Sequence, residues 1–210
     1  MQPGTNSESV ERSTKTRWAD IRMLSIHWSG PFSWPGYETA TLLPALPDVP
    51  GVYMETYAHG HAFLVRGCGI TTRSVRRRFR EHTNHYHAGT YNVLDMEAVA
   101  DAKRKLVHQG SWWSKKRFAG PKLEGPALHQ AVDRQLRMLR LFVAELREEK
   151  RILERIESAV MNRLYRSEPP YCDFLDKGTF RVVRQKDEPP IWVSMSCDHP
   201  LLALPARLLA

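Results

Sequence analysis

The chain has 210 residues, 42% of them hydrophobic, which is enough for one packed domain with extensions but short for two independent cores. Lys and Arg number 31 against 23 acidic residues, a formal net charge of +8 that suits a polyanionic partner. No apolar run is long enough to span a bilayer and no signal-peptide order opens the chain, so a cytoplasmic protein with no membrane role is expected.

The segment 1–17 is rich in Ser, Thr and Glu, cannot repay the entropy of ordering, and reads as a flexible tail. Residues 18–48 read as an N-terminal extension: a loosely alternating apolar stretch from Ile21 to Trp28 predicts a short strand, and Ser29-Gly30-Pro31 and Trp34-Pro35-Gly36 are turn signals. Val52 to Tyr57 and Ala62 to Val65 are β-branched and aromatic segments around Ala58-His59-Gly60-His61, which predicts a hairpin. Thr72 or Ser74 can cap the helix that follows, and Val75 with Phe79 gives it an apolar i, i+4 pair toward a sheet.

The stretch at about 88–126 reads as an insertion loop with some helix. Ala127 to about Arg137 is helical in pattern, and Met138 to Leu146 is dense enough in apolar residues for a third strand, although a continuous helix fits the same letters. Ile152, Ile156, Val160 and Leu164 have helical spacing that Pro169-Pro170 must terminate. In the C-terminal extension, 169–210, Phe180 to Val183 and Ile191 to Met195 are expected to pair as an accessory hairpin.

Cys68, Cys172 and Cys197 lie far apart with no CxxC pair, so neither a disulfide framework nor a structural zinc site is supported. His82, His85 and His87, and His59 with His61, admit a transition-metal reading, but no cysteine partners them at finger-like spacing.

The chemistry concentrates on the hairpin and the basic helix. Gly51-Val52-Tyr53 opens the first strand, Gly69 follows the second, and Arg78 and His82 lie four apart, on one face of the helix. A guanidinium there can clamp a phosphate, and an imidazole can relay a proton near neutral pH. Glu157, on the border of the later helix's buried face, offers a hard oxygen that suits magnesium or manganese held with waters and a substrate phosphate. Each residue also has a plainer reading: Tyr53 as a core aromatic, Arg73 to Arg80 as a solvated basic face, Glu157 as one member of an ion-pair ladder.

In this order and on these elements, the residues resemble the GIY-YIG nuclease family, over about Val49 to Arg166. The resemblance implies an α/β (α+β) domain at 49–168 built on a small, mostly antiparallel three-stranded sheet flanked by helices. It also implies a metal-dependent endonuclease acting on DNA, with Tyr53, Arg78, His82 and Glu157 catalytic and magnesium (or manganese) on Glu157. Arg73, Arg76, Arg77, Lys115, Lys116 and Arg117 are the expected DNA contacts, with Trp112 and Trp113 either stacking on bases or packing inward. A homodimer is one way for such a site to cut both strands. Gly67-Cys68-Gly69 stands where the family has Tyr-aliphatic-Gly, which leaves two outcomes: a site completed by another group such as Tyr57 or His61, or a catalytically impaired nucleic-acid-binding module of the same fold.

Overall fold

The computed structural model describes residues 21–111, 120–176 and 182–210. The expected hairpin is there: β2 (Gly51–His59) and β3 (Ala62–Thr71) pair antiparallel, with Tyr53 opposite Gly69. After the four-residue α1 (Glu38–Thr41) and the hairpin, Ser74 accepts the Arg77 backbone N–H at 3.1 Å and caps α2 (Val75–His87), whose stripe of Val75, Phe79, His82 and Tyr86 is buried. The helix-to-strand switch falls between α4 (Gly125–Met138) and β6 (Leu139–Glu145), with no loop between them.

The three-stranded sheet is a correction. The chain builds a six-stranded mixed, curled sheet and a second, two-stranded one. Both extensions supply strands to the large sheet. β1 (Arg22–Phe32) pairs antiparallel with β6, and β7 (Ile191–Cys197) runs parallel to β1 and antiparallel to β8 (Arg207–Leu209). The order is β3-β2-β6-β1-β7-β8. The curl returns the 200–202 segment to the far side of β3, where the Phe63 N–H donates to the Pro200 carbonyl and the Leu202 N–H to the Phe63 carbonyl, both at 2.9 Å.

The accessory hairpin is also corrected. Ile191 to Met195 spends its hydrogen bonds on β1 and β8, Val182 and Val183 are outside any strand, and Phe180 and Arg181 fall outside the described residues. Within the stretch at 88–126, β4 (Val93–Leu94), α3 (Met96–Ala100) and β5 (Leu106–His108) form a small subdomain, β4 and β5 making the second sheet.

Strand alternation divides the interior into two layers. Tyr53, Tyr57, Leu139, Leu141 and Val143 face the layer beneath α2 and α4, while Val52, Met54, Phe142 and Ala144 face the layer that holds α5 (Lys150–Tyr165). This two-sided burial explains why β2 and β6 read as nearly continuous apolar runs. Arg155 of α5, 2% exposed, donates to the carbonyls of Pro189 and Ala210, both at 2.7 Å, and so ties that helix to the C-terminal strands. No helix among the described residues is long and apolar enough to cross a membrane.

The N-terminal segment fastens α2 to the sheet. The Trp34 indole donates to the Thr83 hydroxyl at 2.7 Å, Arg76 donates to the Leu46 carbonyl at 2.7 and 2.9 Å, and the Val75 N–H donates to the Val49 carbonyl at 2.8 Å. The fully buried Phe79 ring packs edge-on to Trp34 and to Tyr53, each 4.8 Å between centroids. Phe79→Ala is expected to lower the unfolding free energy by about 3–5 kcal/mol in a denaturant titration, whereas a loss below about 1 kcal/mol would show that α2 is not anchored here.

Candidate active site on the hairpin and α2

Tyr53 leaves β2 toward α2 and is 5% exposed. Its hydroxyl lies 3.0 Å from Nε2 of His82, itself 7% exposed. The cross-strand partner of Tyr53 must be glycine: a Cβ at Gly69 would sit 2.5 Å from the Tyr53 Cζ and hydroxyl oxygen. Gly69 therefore lets the phenol lie flat across the hairpin toward the helix.

Arg78, one turn before His82, borders this pair. Burial pushes the Tyr53 phenol above its usual range; Arg78 draws it back, and the carboxylates of Glu55 and Glu157 push it further up. The Arg78 guanidinium also pairs with Glu81 at 3.2 Å and is about one-third exposed, so it faces both the buried phenol and solvent. Burial, reinforced by the positive charges of Arg78, His85 and Arg66, lowers the His82 imidazole to about 3. At neutral pH His82 is therefore an uncharged group with one donor and one acceptor nitrogen.

The structure thus brings Tyr53, Arg78 and His82 together, with Glu157 within electrostatic reach of the phenol. Glu157 is buried at 7% exposure on α5, the helix that packs against β3 and β2. Among the described residues no group of three His, Cys, Asp or Glu side chains is arranged to hold a metal. Glu157 offers one carboxylate as a hard-oxygen donor for a cation such as magnesium.

The expected DNA contacts divide. Arg73 and Arg77 are exposed and share Glu81. Arg76 is turned back onto the Leu46 carbonyl and holds the helix, so its role is structural. Lys115, Lys116 and Arg117, with Trp112 and Trp113, lie outside the described residues.

Tyr57 and His61 are the groups expected to complete the site. Tyr57 is buried at 1% exposure, and its hydroxyl makes no hydrogen bond among the described residues; His61 sits on the turn of the hairpin. The group that does reach the site is Tyr91, whose hydroxyl lies 3.1 Å from Nδ1 of His82. No spacing rule marks Tyr91, because it approaches from the loop after α2. That loop is fixed by Asn92, which accepts from the Gly110 N–H at 2.9 Å and donates to Asp176 at 2.8 Å. Asp176 in turn meets Arg104 at 2.8 Å and Arg66 at 3.5 Å, and the buried Arg66 pairs with the half-buried Glu55 at 2.5 Å.

No protein-family model, curated protein or solved structure matches the chain.

The depressed His82 basicity has a stability signature. An unfolded histidine gains its proton near pH 6.5, whereas folded His82 resists it down to about 3, so the unfolded state binds more protons between these values. Stability from this group is complete above about pH 6.5 and is lost as the pH falls, with a slope approaching about 1.4 kcal/mol per pH unit. Denaturant titrations at pH 5, 6 and 7 should show a shallower decline for His82→Gln than for the wild type. Parallel declines would contradict a buried, neutral His82.

Proposed function

We propose that the chain is a metal-dependent endonuclease that hydrolyses DNA phosphodiester bonds at Tyr53, Arg78, His82 and Glu157. The observation that carries this reading is the 3.0 Å contact between the Tyr53 hydroxyl and His82 Nε2, set beside the Arg78 guanidinium in a chain of formal net charge +8. Arg78 binds a non-bridging oxygen of the scissile phosphate and stabilises the charge that builds there during displacement. Tyr53 takes a proton from the attacking water as its own proton moves to His82 Nε2 and the Nδ1 proton leaves the ring, so the imidazole stays uncharged; the water oxygen bonds to phosphorus as the bond to the leaving sugar oxygen breaks. The leaving oxygen takes a proton from solvent. Glu157 is the residue that would hold magnesium, which would supply positive charge to offset the negative charge developing on the phosphate and leaving group. Arg73 and Arg77 line the approach and track neighbouring phosphates.

Gly67-Cys68-Gly69 in place of the second-motif tyrosine favours one competing reading, a binding module of the same fold that does not cleave. Incubation with supercoiled plasmid or branched DNA separates the two. Magnesium-dependent nicking is expected, abolished by chelator and reduced about 100- to 1,000-fold in Arg78→Ala and Glu157→Ala. Salt-sensitive binding without cleavage would establish the module instead, and binding indifferent to salt would remove the nucleic-acid role altogether.

A further inference from the structure

His82 is held at both ring nitrogens by tyrosine hydroxyls: Tyr53 at Nε2, 3.0 Å, and Tyr91 at Nδ1, 3.1 Å. An uncharged imidazole carries one N–H and one lone pair, so these two contacts run in opposite senses: one phenol donates and the other accepts. Arg78 biases the choice. Its cationic guanidinium interacts with the Tyr53 oxygen, which makes that oxygen a poorer acceptor of a second N–H and its O–H a better donor, so the Tyr53 O–H points at Nε2. The imidazole proton then resides on Nδ1 and is donated to Tyr91.

Tyr91 is placed for this and not merely nearby. Its ring lies 5.6 Å from His82, 5.2 Å from His85 and 5.1 Å from Tyr86. The next residue, Asn92, is buried and hydrogen-bonded to Gly110 and Asp176. Tyr91 itself is only half-buried, so its hydroxyl can touch His82 on one side and water on the other.

We infer that Tyr91 is the outer end of a Tyr53–His82–Tyr91 proton relay, standing in for the absent second-motif tyrosine and fixing the His82 tautomer that accepts the Tyr53 proton. The Tyr53 O–H bond breaks as Nε2–H forms; Nδ1–H breaks as a bond forms to the Tyr91 oxygen; the original Tyr91 hydroxyl proton leaves to water. One proton passes from Tyr53 to solvent and the imidazole changes tautomer. The charged groups that act on the ring, Arg78, His85 and Arg66, all lower its basicity, and Phe79, Tyr53 and Tyr91 are the groups that touch it. A standing imidazolium would be costly there, and a second phenol lets the proton leave as another enters.

The catalytic use of the relay rests on the nuclease reading; the tautomer does not, and the experiment uses both. In ¹⁵N-histidine-labelled full-length protein at pH 7, long-range ¹H–¹⁵N correlations should show His82 as the Nδ1–H tautomer. Tyr91→Phe, which keeps the ring, should shift the population toward Nε2–H. An Nε2–H wild type, or a Tyr91→Phe spectrum unchanged at His82, overturns the relay whether or not the protein cleaves DNA. On plasmid, Tyr91→Phe should lower kcat about 10- to 100-fold with KM unchanged. Wild-type kcat in Tyr91→Phe overturns the relay and leaves the nuclease standing; absence of cleavage by the wild type overturns the nuclease reading, and the tautomer then decides the relay.

Discussion

The site depends first on one packing contact, the Phe79 ring held edge-on between Trp34 and Tyr53. An aromatic ring in that position fixes both the height of α2 above the sheet and its rotation about its own axis. Once those are set, helix geometry leaves little freedom: His82 emerges three residues later over the Tyr53 hydroxyl, and Arg78 emerges one turn before His82 toward the solvent edge. The glycine opposite Tyr53 is the other half of the same constraint, since any side chain at Gly69 would occupy the space the phenol needs. Trp34 belongs to a segment with no chemistry of its own, yet without its ring and its bond to Thr83 the helix would lose its outer support.

A second constraint is electrostatic. Arg66, 8% exposed, lies between Glu55 and Asp176, and its guanidinium sits 5.9 Å from the centre of the Tyr86 ring. A buried guanidinium with carboxylates on two sides adds little net stability, but removing either partner would strand a charge, so the arrangement fixes geometry. It connects the hairpin, the 88–95 loop through Asn92, and the segment after α5 through Asp176. In that way residues on three separate stretches of chain are brought to bear on His82.

The local parts of this were legible in the sequence, and the long-range parts were not. The β2–β3 hairpin, the cap of α2 and the shared face of Arg78 and His82 follow from spacings within a few residues, whereas the switch from α4 to β6 is open to a continuous helix until the pairing of β6 with β1 and β2 is seen. The size of the sheet does not. Alternation in Ile21 to Trp28 and in Ile191 to Met195 signals strands but says nothing of partners, and β1 finds β6 and β7 far along the chain. β8 is three residues long and carries too short a pattern to read. Among site residues, Arg76 reads as one more exposed cation until its bond to the Leu46 carbonyl is seen. Tyr91 has no periodic relation to His82 and becomes visible only when the loop is folded back over the helix.

The central claim is that the Tyr53 hydroxyl, and not simply its ring, does chemistry on a phosphodiester. Tyr53→Phe keeps the packing on Phe79 and removes only the oxygen that faces His82. Single-turnover cleavage of a nicked-circle substrate with magnesium, run beside a duplex-binding titration, measures this directly. The account predicts near-complete loss of the cleavage step with DNA affinity retained; cleavage by Tyr53→Phe at the wild-type rate would contradict it.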